Sequence, residues 1–257
     1  MKPVPIRVIN LVERADRREQ IAAQFQRLGI SAYGFFEAVD GRVQPGHPLF
    51  RRYDPAARER LRGPGRGLKG SQLGCYASHY LLWEECAALG EPLVVVEDDA
   101  ILLDNFPVFL QHARELAGLW PLVWLHDNDK RGRDPTLVVG RIGPFELHKK
   151  LKTHYRTVAY LINPQGARDL LRYSRTWIYP VDDAMCRFYD HGVESIQICP
   201  HCVTHDNDSV SDITGPEASA PLSLRDILRR ESIKAVDQMR RLVHNLRFRL
   251  RYRRSRP

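Results

Sequence analysis

The clearest feature of the hydrophobic pattern is a continuous apolar run that leads directly into three acidic residues. Leu93 to Val96 are four apolar residues, three of them β-branched, and Glu97, Asp98 and Asp99 follow at once. Such a run is typical of a strand that is buried on both faces of a mainly parallel sheet. Because α/β sheets bind ligands just outside the carboxyl ends of their strands, the pattern predicts a site at these acids.

The rest of the chain alternates between strand-like and helix-like periods. A strand, a helix and a second strand at the N-terminus indicate a parallel βαβ unit with a right-handed crossover. The predicted strands cover residues 6–12, 33–39, 93–96, 119–125, 157–162 and 193–199. The predicted helices cover residues 17–28, 71–89, 106–116 and 165–173, a helix ending at 189, and a long helix from 223. The sequence therefore predicts an α/β fold with a Rossmann-type, mainly parallel sheet flanked by helices.

Two segments predict irregular structure. Residues 42–70 are rich in Gly, Pro and Arg and predict a long mobile loop with a short helix at 55–61. Loops of this length are often lids or substrate-binding segments. Residues 130–143 are charged and contain glycine, which predicts a flexible connection.

The positive charge is concentrated at the C-terminus. The formal net charge of the 257 residues is +8, and Arg240 to Pro257 contain eight arginines and no acid. The remaining residues are therefore neutral overall. We predict one domain at residues 1–222, followed by a basic amphipathic helix and tail at 223–257.

Composition also suggests where the protein is located. The first ten residues are too short and too interrupted by Pro3, Pro5 and Arg7 for a signal peptide. Five cysteines are compatible with free thiols in a reducing compartment. No window approaches the roughly 20 apolar residues that span a bilayer. We expect a cytoplasmic protein.

The acidic residues suggest metal chemistry. Three adjoining carboxylates repel one another and lose hydration when buried, and a hard divalent cation relieves both costs. An acidic surface turn is the alternative. Asp182 and Asp183 begin a later helix, where N-capping explains one acid and leaves the second for chemistry. The combination fits metal-dependent transfer from a nucleotide diphosphate, with a separate carboxylate as general base. These features alone do not separate sugar transfer from nucleotidyl transfer.

A basic cluster lies at the first strand-to-helix junction. Arg14, Arg17 and Arg18 occupy a position where helix N-termini favour anions and where arginine can bind phosphate in a bidentate manner. A solvated helix face explains the same residues equally well. His79, on the helix before the apolar run, is either a core histidine or a site residue.

Short motifs spread over residues 6–211 resemble a known family. They are residues 8–11 with Arg17 and Arg18, then 36–41, 74–79, 96–99, 159–162 with Gly166 and Ala167, and 180–182. In this order and spacing they resemble glycosyltransferase family 25, the lipooligosaccharide biosynthesis glycosyltransferases related to collagen galactosyltransferases. The resemblance implies a GT-A-like fold, a UDP-sugar donor (most often UDP-galactose), Mn²⁺ or Mg²⁺, and inversion at the anomeric carbon.

The resemblance also implies roles for individual residues. The metal ligands are expected to be Asp99 and Glu97, with His205 as a third ligand by analogy with GT-A enzymes. Asp182 is the candidate base, with Asp183 as its alternative. The expected donor-binding residues are Asn10, Leu11, Arg14, Arg18, Asp40, His79, Glu97 and Asp98.

One position departs from the family pattern. The family usually has Gly-Glu where this chain has Ser71-Gln72. If that glutamate acts chemically, the enzyme differs or is impaired. If it only orients a neighbouring group, glutamine is sufficient.

The leading interpretation is a metal-dependent inverting hexosyltransferase that extends a lipooligosaccharide, lipopolysaccharide or other surface glycan. A nucleotidyltransferase is the first alternative, but it would need a glycine-rich phosphate loop, and residues 13–16 contain no glycine. A non-catalytic membrane-binding or nucleic-acid-binding protein with a basic tail is the second. We expect no specific nucleic acid. Instead, the C-terminal helix should hold the protein peripherally on the anionic inner face of the membrane.

Overall fold

The structure, a computed structural model, describes residues 2–127, 135–152, 154–205 and 222–254. Its strands are β1 (Ile6–Asn10), β2 (Gly34–Glu37), β3 (Leu93–Glu97), β4 (Ala100–Leu102), β5 (Leu122–Trp124), β6 (Thr136–Ile142), β7 (Phe145–Lys150), β8 (Ala159–Ile162), β9 (Ser195–Cys199) and β10 (Val203–His205). Its helices are α1 (Ala15–Arg27), α2 (Pro55–Arg62), α3 (Gly70–Leu89), α4 (Phe106–Leu119), α5 (Pro164–Tyr173), α6 (Val181–Met185), α7 (Phe188–His191) and α8 (Leu224–Arg254), with a 3-10 helix at Pro48–Arg52.

A central sheet has the strand order β2-β1-β3-β8-β5-β9-β7-β6. β1 pairs in parallel with β2 and β3, and β5 pairs in parallel with β9. β8 is antiparallel to β3 and β5, and β7 is antiparallel to β9 and β6. Consequently β2, β1, β3, β5, β9 and β6 run in one direction, while β8 and β7 run in the other. The predicted α/β fold with a mainly parallel sheet flanked by helices is confirmed.

Strand β3 lies in the middle of the hydrophobic core. The side chains of successive strand residues point to opposite faces of a sheet. Val94 and Val96 pack on the face covered by α1 and α4, and Leu93 and Val95 pack on the face covered by α3 and α5. All four residues are completely buried. Burial on both faces explains why the apolar run is continuous, and the chain leaves the core only at Glu97.

The prediction of a flexible connection at 130–143 is wrong for its second half. Residues 136–142 form β6, which pairs with β7 in an antiparallel hairpin that turns at Gly143 (φ 53°). Thr136-Leu-Val-Val are strand-forming residues, and the charged residues around them obscure this pattern in the sequence. Residues 128–134 lie outside the described part of the chain.

Other predictions need smaller corrections. The helix expected to end at 189 is two short helices, α6 and α7, and the strand expected at 33–39 is confined to Gly34–Glu37. The helix predicted at 55–61 is confirmed as α2. The rest of the long segment is not the mobile loop we expected, because it also contains the 3-10 helix and a backbone hydrogen bond from the Asp54 N–H to the Trp177 carbonyl.

The predicted C-terminal helix is confirmed as α8, and one of its faces packs on the rest of the protein. Asn245 Nδ2 donates to the Leu151 carbonyl at 2.8 Å, and Asp237 accepts two hydrogen bonds from Arg187 at 2.9 and 2.7 Å. Phe248 is partly buried against the core. The domain boundary at residue 222 stays a prediction. Among the described helices, none is both long enough and apolar enough to cross a bilayer.

Candidate active site at the carboxyl end of β3

A cleft opens where β1 and β3 end. Its volume is about 700 Å³ when the space open to solvent is included. The cleft combines β1, the loop after β2, the first half of α3 and the acidic turn that follows β3. Predicted site residues that line it are Leu11, Asp40, His79, Glu97, Asp98 and Asp99.

Asp98 is bound by the protein itself. Asn10 Nδ2 donates to one carboxylate oxygen at 2.8 Å, and Arg17 lies 3.4 Å from the other. Asn10 is itself buried and also donates to the Arg14 carbonyl. Burial raises the pKa of Asp98, and the contacts with Asn10 and Arg17 oppose that rise. Since both oxygens have protein partners, Asp98 holds the acidic turn against β1 and α1.

Glu97 ends a chain of buried hydrogen bonds. Trp83 Nε1 donates to the Tyr160 hydroxyl, which lies 3.0 Å from His79 Nδ1, and His79 Nε2 lies 3.3 Å from Glu97. Every group is satisfied when the Tyr160 hydroxyl donates to His79 and His79 Nε2–H donates to Glu97. Burial alone would raise the pKa of Glu97, but hydrogen bonds from His79 and Thr157 hold it below its ordinary value. Glu97 is therefore ionised and fixed in orientation.

Asp99 differs from both of its neighbours. Within the described residues, its Oδ1 is buried and has no hydrogen-bond partner. Burial, together with the charges of Glu97 and Asp98, raises the pKa of Asp99 to about 7. A buried carboxylate oxygen without a partner is costly. Such an atom is expected where a ligand completes the site.

The groups near Asp99 suit a hard divalent cation. β10 pairs with β4 so that His205 lies opposite Ala100, the residue that follows Asp99. Cys75 also has its sulfur within 4.8 Å of ligand atoms of His79 and Glu97. Burial raises the pKa of the Cys75 thiol well above its usual value. Its soft sulfur is also poorly matched to a hard cation. Carboxylate and imidazole groups are donor types that Mn²⁺ and Mg²⁺ accept. Asp99 and His205 are not part of the group of described ligand atoms that lie within 4.8 Å of one another.

The two acids of α6 face different surroundings. Burial raises the pKa of Asp182, and the charges of Asp183 and, more weakly, Glu97 add to the rise. Asp182 therefore lies within electrostatic range of the acidic cluster. Asp183 instead pairs with Arg62 on α2 at 3.1 Å. Of the two candidates for a general base, Asp182 is the one whose pKa is affected by Glu97, although it is not among the residues that line the described cleft.

Two predicted donor-binding arginines lie outside the described cleft lining. Arg14 pairs with Asp16 at 2.9 Å, and the guanidinium of Arg18 lies 3.9 Å from the centre of the Phe35 ring. Arg17 lines the cleft instead. The proximity of Arg17 to Asp98 depends on the packing of α1 against the acidic turn, which local sequence does not encode. The donor-binding roles of Arg14 and Arg18 stay predictions.

Arg42 is a cleft residue that sequence reasoning missed. It lies 2.7 Å from Asp40 and 2.7 Å from Glu13, and its guanidinium holds the pKa of Asp40 far below the ordinary value. The available signal was its position directly after the Asp-Gly turn. Asp40 is consequently a charged, oriented carboxylate at the edge of the cleft.

Gln72 has a local structural role. Its side-chain oxygen accepts the backbone N–H of Lys69 at 3.0 Å, where α3 begins. A glutamate at this position can accept the same hydrogen bond, as in a capping box. Gln72 therefore makes a hydrogen bond that a glutamate could also make, and a chemical role of the family's glutamate stays the open alternative.

Three glycines bring the loop after β2 into direct contact with α3. A methyl group added at Gly41 would lie 1.8 Å from the Gly70 carbonyl oxygen, and one added at Gly74 would lie 2.3 Å from the Val39 carbonyl oxygen. Only glycine permits these backbones to approach so closely. This contact fixes Asp40 beside the part of α3 that carries Cys75 and His79.

Comparisons with known proteins agree with the motifs. The profile described as glycosyltransferase family 25 (LPS biosynthesis protein) matches residues 4–185. A glycosyltransferase 25 family member from Aedes aegypti is 31% identical over 200 residues, which cover 74% of this chain and 32% of that protein. Procollagen galactosyltransferase 1 from Danio rerio is 29% identical over 207 residues, covering 73% of this chain and 32% of that protein.

Some relatives are named inactive. The inactive glycosyltransferase 25 family member 3 from Mus musculus is 31% identical over 197 residues, which cover 71% of this chain and 31% of that protein. The chain thus spans about a third of the length of these curated relatives. The profile match covers most of the chain, and the matched region contains the acidic turn, the α3 residues and Asp182. The chain therefore belongs to glycosyltransferase family 25.

Proposed function

We propose that the protein is an inverting glycosyltransferase that moves a hexose, most often galactose in this family, from a UDP-sugar to a glycan acceptor. The observation that carries the proposal is the Oδ1 of Asp99, which is buried and has no hydrogen-bond partner among the described residues, beside the ionised Glu97 in an open cleft. Family membership supports glycosyl transfer in general. Because some relatives are named inactive, activity has to be tested on this chain.

The acidic turn provides the ligands. Glu97, Asp99 and His205 would hold Mn²⁺ or Mg²⁺, which supplies the Lewis acid that neutralises the leaving diphosphate. Asn10 and Asp98 keep the turn in position through their hydrogen bond. A turn that is held in place in this way loses less conformational freedom when a ligand binds.

The walls of the cleft suit the nucleotide. Leu11 and Val39 offer apolar surface to a base, and Asp40 with Arg42 offers a polar edge. The cation Arg17 also lines the cleft and can contact a donor phosphate. The site therefore combines apolar contact for the base with charge for the phosphates.

Asp182 acts as the general base in this proposal. Inversion by a single displacement requires a group that accepts the proton of the acceptor hydroxyl as it attacks. Burial raises the pKa of Asp182, which makes it a stronger base than an exposed aspartate. The backbone N–H of Arg156 lies 3.4 Å from its Oδ2 and helps to orient it.

A donor screen tests the proposal directly. The full chain is incubated with a panel of UDP-sugars and Mn²⁺, Mg²⁺ or EDTA, and release of UDP is measured with and without glycan acceptors. We expect metal-dependent UDP release from at least one UDP-sugar. We also expect a higher melting temperature with Mn²⁺ plus UDP, because a ligand that binds only the folded state stabilises it. If no UDP-sugar is consumed and Mn²⁺ plus UDP does not change the melting temperature, the proposal is wrong.

We further propose that the acceptor is a glycolipid, such as a lipooligosaccharide or lipopolysaccharide precursor. In this proposal α8 holds the enzyme on the anionic, cytoplasmic face of the membrane that contains the glycolipid. The α8 face opposite its packed side exposes apolar side chains: Leu228, Met239, Leu242, Leu246 and Leu250. Leu242, for example, is 62% exposed. Exposed arginines flank this stripe, among them Arg240, Arg247 and Arg249. An apolar stripe flanked by arginines fits an anionic lipid surface.

Vesicle binding tests the membrane proposal. The full chain should sediment with vesicles containing anionic lipid at low salt, and it should remain in solution with purely zwitterionic vesicles. Leu242→Glu combined with Leu246→Glu should abolish sedimentation, while Leu89→Glu, an exposed apolar residue on α3, should not. If the double variant still sediments fully, or if the wild type is a dimer that the double variant converts to a monomer, the stripe serves another partner.

A further inference from the structure

A second cleft lies on the other side of α6. It is formed by α2, α6, α7 and α8, and its volume is about 830 Å³ when the space open to solvent is included. Asp183 lines this second cleft, while the adjacent Asp182 is within electrostatic range of Glu97. Two consecutive residues of α6 therefore relate the two clefts: Asp183 lines the second, and Asp182 interacts electrostatically with Glu97 of the first.

The lining of the second cleft is predominantly cationic. Arg62, Arg187, Arg230, Lys234 and Arg241 line it, against two carboxylates, Asp183 and Asp237. This excess of positive charge favours an anionic ligand.

The internal ion pairs account for only part of this charge. Arg187 is compensated by Asp237 and by Asp190 at 2.7 Å, and Arg62 is compensated by Asp183. The cations of α8 are only partly compensated. Arg230 and Lys234 share a single carboxylate, that of the exposed Glu231, which does not line the cleft.

Aromatic side chains complete the walls. Tyr155, Tyr179 and Tyr189 line the cleft, and Arg187 lies over the rings of Tyr179 and Tyr189. Tyrosine offers an apolar face together with a polar hydroxyl, which suits a ring-shaped polar ligand. Arginine and lysine bind carboxylate and phosphate oxygens through charge-assisted hydrogen bonds.

We propose that the second cleft binds an anionic sugar of the acceptor, one that carries a phosphate or carboxylate substituent. This inference rests on the proposed transfer reaction, because a sugar unit of the acceptor bound in the second cleft would lie next to Asp182, the proposed base. Arg230, Lys234 and Arg241 contact the anionic substituent, and the tyrosines contact the sugar ring. The cleft thereby selects acceptors by their charge.

The test combines direct binding with acceptor kinetics. Binding of glucose 6-phosphate, glucuronate and glucose to the full chain is measured by saturation-transfer NMR, and transfer is measured with phosphorylated, carboxylated and neutral glycan acceptors. The test variant combines Arg230→Gln, Lys234→Gln and Arg241→Gln. The matched control combines Arg141→Gln, Arg168→Gln and Arg175→Gln, which remove the same charge at exposed positions away from both clefts. Melting temperatures show that each variant is folded.

We expect glucose 6-phosphate or glucuronate to bind, and glucose to bind at least tenfold more weakly. The test variant should lose this preference and raise the KM of an anionic acceptor about tenfold, with a change under twofold for a neutral acceptor. Which of the two probes binds identifies the substituent. Equal effects on anionic and neutral acceptors, or the same loss in the matched control, would overturn the inference.

The two proposals can fail separately. If the probes bind through the α8 cations but no UDP-sugar is consumed, the second cleft stands and the proposed reaction falls. If UDP-sugar is consumed but neither anionic probe binds better than glucose, the reaction stands and the second cleft falls.

Discussion

The acidic turn after β3 and the arginines of α8 are both crowded groups of like charge, yet they lie in opposite environments. Glu97 ends β3, Asp98 and Asp99 follow it, and all three are partly withdrawn from water. The arginines at 240, 247 and 249 lie on the exposed face of a helix. Water solvates exposed charges, whereas a buried charge requires a specific partner. Crowded like charges therefore form a defined site in the acidic turn, whereas on α8 they give the surface a general positive charge.

This difference predicts how each region responds to substitution. In the acidic turn each carboxylate has its own contacts, so substituting each one should change activity and stability in a different way. On α8 the arginines act through their number, so no single one is essential.

Asp99→Asn should reduce UDP release by at least about a thousandfold, because it removes the charged oxygen proposed to complete the metal site. Its melting temperature without ligand should equal or exceed that of the wild type, because one repulsive charge is removed from a buried cluster. The stabilisation by Mn²⁺ plus UDP should disappear. Activity assays and thermal melting measure these effects, and Asp104→Asn, at an exposed acid paired with Arg27, is the control. Wild-type activity in Asp99→Asn would contradict the assignment.

Asp182→Asn should lower kcat by roughly a hundredfold to ten-thousandfold, the usual contribution of a general base, with little change in UDP-sugar affinity. Asp183→Asn should have a smaller effect on kcat, because Asp183 pairs with Arg62 outside the first cleft. Steady-state kinetics and UDP-sugar titrations of both variants distinguish the two residues. A comparable loss of UDP-sugar binding in Asp182→Asn would make it a binding residue instead.

Burial should also disfavour the protonated, positively charged form of a histidine side chain. Burial lowers the pKa of His126 to about 4, below its ordinary value of 6.5. Between those two values the unfolded state binds more protons than the folded state, so the free energy of unfolding falls as pH decreases from about 6.5 to 4. The full difference for this one group is about 3 kcal/mol. Urea unfolding as a function of pH should show a smaller slope for His126→Gln, and an identical slope would contradict the prediction.

The smallest effect is expected for single arginines on α8. Arg247→Gln should weaken binding to anionic vesicles by no more than about fivefold, since each basic residue near such a surface contributes about 1 kcal/mol at best. Added salt should weaken wild-type binding further. Vesicle titrations at two salt concentrations measure both effects. Complete loss of binding in Arg247→Gln would indicate a specific lipid contact and would remove the contrast with the acidic turn.

The central site could be predicted from the sequence because its strongest signals are local. The apolar run, the acids that follow it and the Asp-Gly turn are each contiguous, and periodicity is sufficient to place them on a strand, at its end and in a loop. The family resemblance then predicted that Asp182 belongs to the same site. The structure places Asp99, Glu97 and His79 at one cleft, in the region that the sequence predicted.

Features that depend on distant parts of the chain were missed. Arg62 pairs with Asp183, 121 positions along the chain, and Arg187 pairs with Asp237 across the packing of α7 and α8. No local pattern encodes which face of α8 packs inward. The second cleft and the inward face of α8 therefore emerged only from tertiary structure.

The contact between Gly41 and Gly70 has a consequence for how this chain can vary. Residues 42–69 connect Gly41 to Gly70, so the two ends of this segment meet where the two glycines are in contact. The 3-10 helix and the Asp54–Trp177 hydrogen bond attach part of the segment to the domain, whereas exposed loop positions in it can change at little cost to the rest of the fold. Since α2 within this segment carries Arg62 to the second cleft, substitutions there would change the proposed acceptor preference while the geometry of Asp40, Cys75 and Glu97 is preserved.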